Sequence, residues 1–324
     1  MQRMAVAMTE HRRVAVLGAS SLVGQCLLPL LVQAGWQVDA YSRRSVTDTA
    51  GVVWRQLPPA ANAEPTPNWL CVAPIWVLPE YFAHLEATGV QRVVALSSTS
   101  RFTKVDSADE AEASVAARLV EAEKRVAEWA QSRGIEWLIL RPTLIYGFGR
   151  DKNITEIARF IRRFHFFPIL GKAAGLRQPI HAEDVAQACL AALAPTAPVN
   201  RAYDICGAET LTYRELVKRV FVALDRKPRL VAVPLWAFHL AVAVVRCLPR
   251  YRHWSATMAE RMNCDLVFDC GDARRELGFA ARPFQPSRED LAPSAGRPLK
   301  ISAKGSTKEP AKEAEKESMK ERAL

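Results

Sequence analysis

Two glycines six residues apart, Gly18 and Gly24, stand between a short apolar run and an amphipathic stretch. The run Val14-Ala15-Val16-Leu17 has the length and composition of a buried strand. Over 20–34 the apolar residues Leu22, Val23, Cys26, Leu27, Leu30 and Leu31 recur at helical spacing, and Gly35 follows as a stop signal. Pro29 falls inside that stretch and predicts a slight kink, or a place where one lost hydrogen bond is tolerated. A strand that turns this sharply into a helix aims the helix N-terminus at whatever binds above the turn. That arrangement suits the pyrophosphate of a dinucleotide. Gly18 would permit the turn, and Gly24 would let the helix press onto the sheet. Ser21 takes the place of the usual middle glycine and adds a hydroxyl. The predicted cradle is Gly18, Ser20, Ser21, Leu22, Val23 and Gly24. A plain strand-to-helix turn is the alternative that spacing alone leaves open.

The end of the second predicted strand, 36–41, bears on which dinucleotide. An Asp or Glu there would hold a ribose 2′-hydroxyl, and arginine would hold a 2′-phosphate. The residues are Ser42, Arg43 and Arg44. Guanidinium groups suit phosphate, so NADP is the expected cofactor, with NAD as the alternative. Against this stands a solvated turn with two surface arginines.

Apolar runs and helical patterns then alternate. Strands are predicted at 52–54, 69–73, 93–96 and 137–140, and helices at 78–87 and 108–132. Strand–helix–strand at this pitch implies right-handed crossovers, hence an α/β fold: a doubly wound parallel sheet of Rossmann type. A smaller C-terminal substrate-binding part follows, with helices at 154–164, 184–193 and 213–224. The predicted organisation is an N-terminal extension over 1–12, a nucleotide-binding core over 13–145, a substrate-binding part over 146–292 interleaved with the sheet, and a disordered charged tail over 293–324. That tail is rich in Lys, Glu, Ala and Ser and poor in large apolar residues, so it would bury too little surface to offset its ordering entropy.

Composition narrows the partners. The chain of 324 residues carries a formal net charge of +10, which raises nucleic acid as a partner. Its basic residues are scattered, however, without the aromatic interleaving of a single-strand groove, so a small anionic ligand is expected and nucleic acid is not. The seven cysteines are dispersed and odd in number, which predicts reduced, buried thiols rather than a disulfide framework. His and Cys spacing suggests no metal site. No stretch reaches the ~20 apolar residues of a membrane span, and 1–13 does not read as a signal peptide. A cytoplasmic location is the expectation. Residues 230–245 are apolar nearly all round and predict a buried or dimer-facing helix. Peripheral membrane contact through 230–250, helped by Arg246, Arg250 and Arg252, is the alternative.

The order of segments resembles the extended and atypical branch of the short-chain dehydrogenase/reductase superfamily, which holds nucleotide-sugar epimerases and dehydratases. The carrying segments are GASSLVG at 18–24, LSSTS at 96–100, KRVAE at 124–128, LRPTLIYG at 140–147, RQPIHAEDVA at 177–186 and YDICGAETLTYREL at 203–216. The resemblance implies a hydroxyl after the fifth strand, supplied by Ser98, Thr99 or Ser100, with Thr99 the best positional match. It assigns Lys124 to the ribose-binding lysine that lowers a tyrosine pKa, since an ammonium beside a phenol favours the phenolate. The tyrosine itself is missing, because Val120 stands four residues before Lys124. Further cofactor contacts are implied for Ala73, Pro74, Ser97, Ser98, Lys124, Pro142 and Thr143.

Substrate-side candidates are Tyr146, Arg150, Asn153, Arg177 and His181, a set able to gather an anionic or polyhydroxylated molecule. His181 followed by Asp184 suggests a dyad, although the same segment in the resembling family mainly lines the cleft. The resulting expectation is an NADP-dependent oxidoreductase or epimerase/dehydratase-like enzyme acting on a carbinol or carbonyl carbon, most simply of a nucleotide sugar. A sterol or other lipid alcohol is a second substrate class. A non-catalytic NADP(H)-binding sensor or assembly protein is a second function class, motivated by Val120. The resemblance leaves a homodimer open.

Overall fold

The computed structural model describes residues 12–59, 64–103, 110–233 and 262–292. Seven parallel strands form the central sheet: β1 (Arg13–Leu17), β2 (Gln37–Ser42), β3 (Val52–Gln56), β4 (Asn68–Cys71), β5 (Arg92–Leu96), β6 (Glu136–Pro142) and β7 (Arg201–Ile205). Their order is β7-β6-β5-β4-β1-β2-β3. The sheet is buried on both faces, which is why its central strands read as continuous apolar runs and not as alternating ones. The doubly wound parallel sheet expected from the sequence is the observed fold.

Helix α1 (Leu22–Gln33) begins on Ser21, whose Oγ accepts from the Gly24 amide at 3.0 Å. It runs unbroken through Pro29 and ends in a Schellman turn: Gly35 has φ +80°, its amide bonds Val32 O, and the Trp36 amide bonds Leu31 O. A 3-10 helix (Ile75–Tyr81) leads into α2 (Phe82–Ala87), and α3 (Glu110–Arg133) connects β5 to β6. The 3-10 helix and α3 cover one sheet face through Ile75, Leu78, Leu119, Ala122, Val126 and Ala130. The other face is covered by α1 and by α5 (Ala182–Ala191), which pack together through Val23, Leu27, Leu31, Val185 and Cys189.

Between β6 and β7 the chain leaves the sheet to build a second core. Helices α4 (Ile154–Phe164) and α6 (Tyr213–Ala223) pack there with Ile157, Ile161, Val217, Phe221 and Phe284. Among the described residues the last helix of more than one turn is α7 (Gly271–Leu277).

Two expectations need correction. Residues Leu230–Val233 form a strand paired in parallel with Phe167–Leu170, not the start of a helix. Val233 precedes Pro234, and a residue before proline is pushed towards extended backbone. The rest of the 230–250 segment lies outside the described residues, as do the predicted 293–324 tail and residues 1–11. Secondly, the thiols are not all free: Cys206, just after β7, is joined by a disulfide to Cys270 at the start of α7. The two cysteines are 64 positions apart, a closure that cysteine spacing does not encode. Cys26, Cys71 and Cys189 are buried and free, each pushed up to about 12 chiefly by burial, whereas Cys264 is exposed. No helix among the described residues is long and apolar enough to cross a membrane.

Candidate active site

In an open parallel sheet the ligand crevice lies beyond the carboxyl ends of the strands, where the strand order reverses. Here that point is between β1 and β4, and Gly18 closes it. Gly18 has φ +85°, and a Cβ on it would lie 2.5 Å from the Ala73 amide nitrogen. A Cβ on Gly24 would lie 2.5 Å from Ala19 O, inside the turn. Both glycines are therefore required by close backbone approach, Gly18 at the turn as expected and Gly24 against the turn's own carbonyls, not against the sheet. Ser20 is exposed on the rim of the turn and Val23 is buried beneath it. Ser21 spends its acceptor on the Gly24 amide, which leaves its hydroxyl proton to donate. Helix α1 has no acidic residue in its first turn, so the helix itself brings no negative charge to that end. Pro74 is exposed beside Ala73 at the same edge.

At the end of β2, Ser42 is buried and its Oγ accepts from the Arg44 amide at 3.1 Å, folding the turn so that Arg43 and Arg44 are exposed. The nearest acid on β2, Asp39, is buried and held by Arg13 and Arg55 at 2.6 Å each.

At the ends of β5 and β6 the structure revises the expected catalytic pair. Lys124 is 65% exposed and pairs with Glu128 across one turn, on the outer side of α3. Val120 is exposed on the same side. The side chains that α3 turns inward include Val115, Leu119, Ala122, Glu123 and Val126. One residue along a helix is a rotation of roughly 100°, so the offset between Glu123 and Lys124 separates the interior from solvent. Lys124 thus does not join the residues it was expected to serve. Neither Val115 nor Leu119, four residues apart on the inward face, can move a proton.

Glu123, not among the candidates read from the sequence, is a buried charged group of this edge. Its carboxylate accepts from Arg141 Nε at 3.0 Å and Nη2 at 2.6 Å, and also from Arg101 and from Ser97 Oγ. Arg141 reaches on to Asp204 at 3.6 Å. Burial pushes the Asp204 carboxyl up, and Arg141 partly offsets it. Ser97 is therefore tied to α3. Ser98 Oγ accepts from the Ser100 amide. Thr99 is buried, and its Oγ1 donates to Pro142 O at 3.3 Å. Thr143 donates to Gln178 O. Thr99, Pro142 and Thr143 do come together where β5 and β6 end.

The substrate-side candidates scatter more widely. Tyr146 is buried against His181 and Phe284, and burial pushes its phenol well above the usual range. Arg177 is buried over the Tyr213 ring, its guanidinium on Leu176 O and Cys264 O, and burial pushes its pKa down. Asn153 is exposed at the start of α4. Arg150 reaches away from this group to the glycine turn: its guanidinium contacts Gln25 Oε1, and Ser20 O at 3.2 Å.

The His181–Asp184 dyad does not form. Asp184 is held by Arg282, at 2.8 Å from its Nε and 2.9 Å from its amide. His181 Nε2 instead lies 2.9 Å from Asp290 Oδ1, while Nδ1 accepts from the Glu183 amide. An accepting Nδ1 puts the ring proton on Nε2, which donates to the carboxylate. Burial pushes the Asp290 carboxyl up, but hydrogen bonds from His181 and Ser287 outweigh this and bring it to about 2. Asp290 lies 109 residues beyond His181, a pairing with no local sequence signal.

Residues 80–206 match the NAD dependent epimerase/dehydratase family. An uncharacterised protein of Sinorhizobium fredii is 28% identical over 207 residues, 60% of this chain and 50% of its own length. A UDP-glucose 4-epimerase of Vibrio cholerae is 22% identical over 175 residues, 54% of this chain and 50% of its own. The chain thus spans about half the length of these curated relatives. Among solved structures, MoeE5 in complex with UDP-glucuronic acid and NAD superposes with a TM-score of 0.62 at 21% identity, covering 87% of this chain and 97% of that one. The chain is thus similar to the NAD dependent epimerase/dehydratase family over residues 80–206 and shares the fold of its structural neighbours.

Proposed function

We propose that the chain binds NADP(H) at the Gly18–Gly24 turn and acts as an epimerase/dehydratase-type oxidoreductase on a carbinol or carbonyl carbon of a nucleotide sugar, in the cytoplasm. The observation that carries the reading is the backbone approach of Gly18 to Ala73 at the reversal of strand order, beneath a helix N-terminus free of acidic residues. The epimerase relative and the UDP-sugar and NAD complex of MoeE5 support the substrate and cofactor classes. Exposed Arg43 and Arg44, together with the burial of Asp39 in ion pairs, favour a 2′-phosphate over a 2′-hydroxyl. In this reading residues 13–145 hold the cofactor and 146–292 the sugar nucleotide. A bound nicotinamide would supply the hydride chemistry. Thr99, at the joined ends of β5 and β6, is the hydroxyl nearest in kind to the expected polarising group.

A second reading has its own observation. The inward face of α3 presents Val115, Leu119 and Glu123, and Lys124 faces solvent. A protein that holds NADP(H) without turning over a substrate fits that face.

Titration with NADPH and NADH, followed by assays for interconversion of UDP-hexoses, tests both. Binding with turnover supports the enzyme. Tight binding without turnover supports the second reading, and no binding of either dinucleotide overturns both. Arg43→Ala is expected to weaken NADPH by roughly tenfold and leave NADH unchanged. An unaltered preference would count against the 2′-phosphate assignment.

A further inference from the structure

Arg150 stands in the loop between β6 and α4, yet its guanidinium lies on the first turn of α1, beside the carbonyl of Ser20 and the side-chain amide of Gln25. Both acceptors are neutral. A partly buried guanidinium with neutral partners, next to a helix N-terminus with no acid in its first turn, is a ready counter-ion for a phosphate.

The backbone before it is arranged to aim it there. Gly147, Phe148 and Gly149 have φ of 137°, 54° and 62°, three successive residues in a region that L side chains rarely adopt. Phe148 pays that conformational cost only because its surroundings hold it. A Cβ on Gly147 would lie 2.9 Å from His181 Nε2, the Gly149 amide donates to Asp290 O at 2.7 Å, and the Phe148 ring packs on His181. The His181–Asp290 pair is thus the peg on which the turn is wound. Immediately after Arg150, Asp151 Oδ1 accepts from the amides of Asn153 and Ile154 at 2.9 and 2.6 Å and starts α4. Arg150 sits between two fixed elements of the C-terminal part, and its side chain crosses 130 residues of sequence to reach Ser20.

We infer that Arg150 is a clamp on the pyrophosphate of the bound dinucleotide, delivered to the glycine turn by the substrate-side part and positioned by His181 and Asp290. The inference rests on the reading of the Gly18–Gly24 turn as a dinucleotide site. Because NAD and NADP share the pyrophosphate, Arg150 adds affinity for both, whereas Arg43 and Arg44 would discriminate between them. Cofactor binding would also draw on the loop that leads into α4 and so link the two parts of the molecule.

The test is titration of NADPH and of ADP-ribose, with unfolding temperature recorded for each variant without ligand. Arg150→Ala is expected to lose roughly 10- to 100-fold affinity for both ligands. Arg150→Lys, which keeps the charge without the bidentate fork, should recover part of it. Gln25→Ala breaks the contact with α1 yet should bind both ligands as the unaltered protein does. The inference is overturned if Arg150→Ala and Arg150→Lys both bind normally. It is equally overturned if Gln25→Ala loses as much as Arg150→Ala, because the residue then acts only as a tether. Failure of the unaltered chain to bind either ligand is a separate result, one that removes the dinucleotide reading itself.

Discussion

The two ends of the crevice are built from different materials. Beyond β1 the groups turned outward are backbone amides, exposed by glycines and by the first turn of a helix. Beyond β5, β6 and β7 they are side chains, and Ser97, Arg101, Glu123, Arg141 and Asp204 are largely engaged with one another. The first end bonds its Ser21 and Gly24 amides within the turn itself, to Gly18 O and Ser21 Oγ. The second has spent much of its hydrogen-bonding capacity on joining α3 to the sheet. The resemblance led to an expected lysine at that second end, and here α3 contributes a carboxylate bound by two arginines. A site of backbone groups survives sequence change as long as its glycines do. One built of side chains changes its purpose when a single helix position changes.

The largest expected effect would break the second end. Glu123→Ala leaves Arg101 and Arg141 without their shared carboxylate in a buried place and should cost about 3–5 kcal/mol of stability, measured by denaturant unfolding. A loss below about 1 kcal/mol would mean that this knot behaves like a surface pair.

Gly18→Ala probes the first end. A side chain at φ +85° costs about 1–2 kcal/mol before its clash with Ala73 is counted. Dinucleotide binding should fall below detection in the variant protein that still folds. Retained binding would show that the turn has room it is not expected to have.

Next in size is the Asp290 peg. A carboxyl held at about 2 when folded and near 3.9 when unfolded contributes stability that is fully present above pH 4 and is lost as pH falls towards 2. The contribution is roughly 2 kcal/mol at neutral pH. Asp290→Asn should flatten that part of the stability–pH profile. An unchanged acid limb would assign the pH dependence to other carboxyls.

The smallest effect is the sharpest discriminator of the two ends. Lys124→Ala should change stability by less than about 0.5 kcal/mol and leave NADPH affinity unchanged, because its ammonium lies in solvent beside Glu128. A clear loss of affinity would return Lys124 to the site.

Much of this contrast follows from what each element requires of the chain. Gly18, Gly24 and Gly35 were legible because backbone conformation and close approach forbid a side chain there, a rule that acts locally. The strand runs at 14–17 and 93–96 were legible because a sheet covered on both faces needs apolar residues at every position. The candidate site was legible only in part. Lys124 carries the expected charge at nearly the expected spacing, but facing depends on helix phase, and that phase is set by how α3 packs on β6 and the 3-10 helix. Asp184 is close to His181 in sequence, and Asp290, 109 residues away, is the partner that the fold brings in. Cys206 and Cys270 meet for the same reason.

The amino-acid sequence by itself determined the parallel sheet, the strand-to-helix turn at Gly18, and the basic turn after β2, since each depends on residues within a few positions of one another. Tertiary structure alone decided that Glu123 and not Lys124 faces inward, that His181 serves a turn through Asp290, and that Arg150 crosses to the glycine turn. Those pairings come from the return of the chain between β6 and β7 and beyond it, where distance along the sequence carries no information about distance in space.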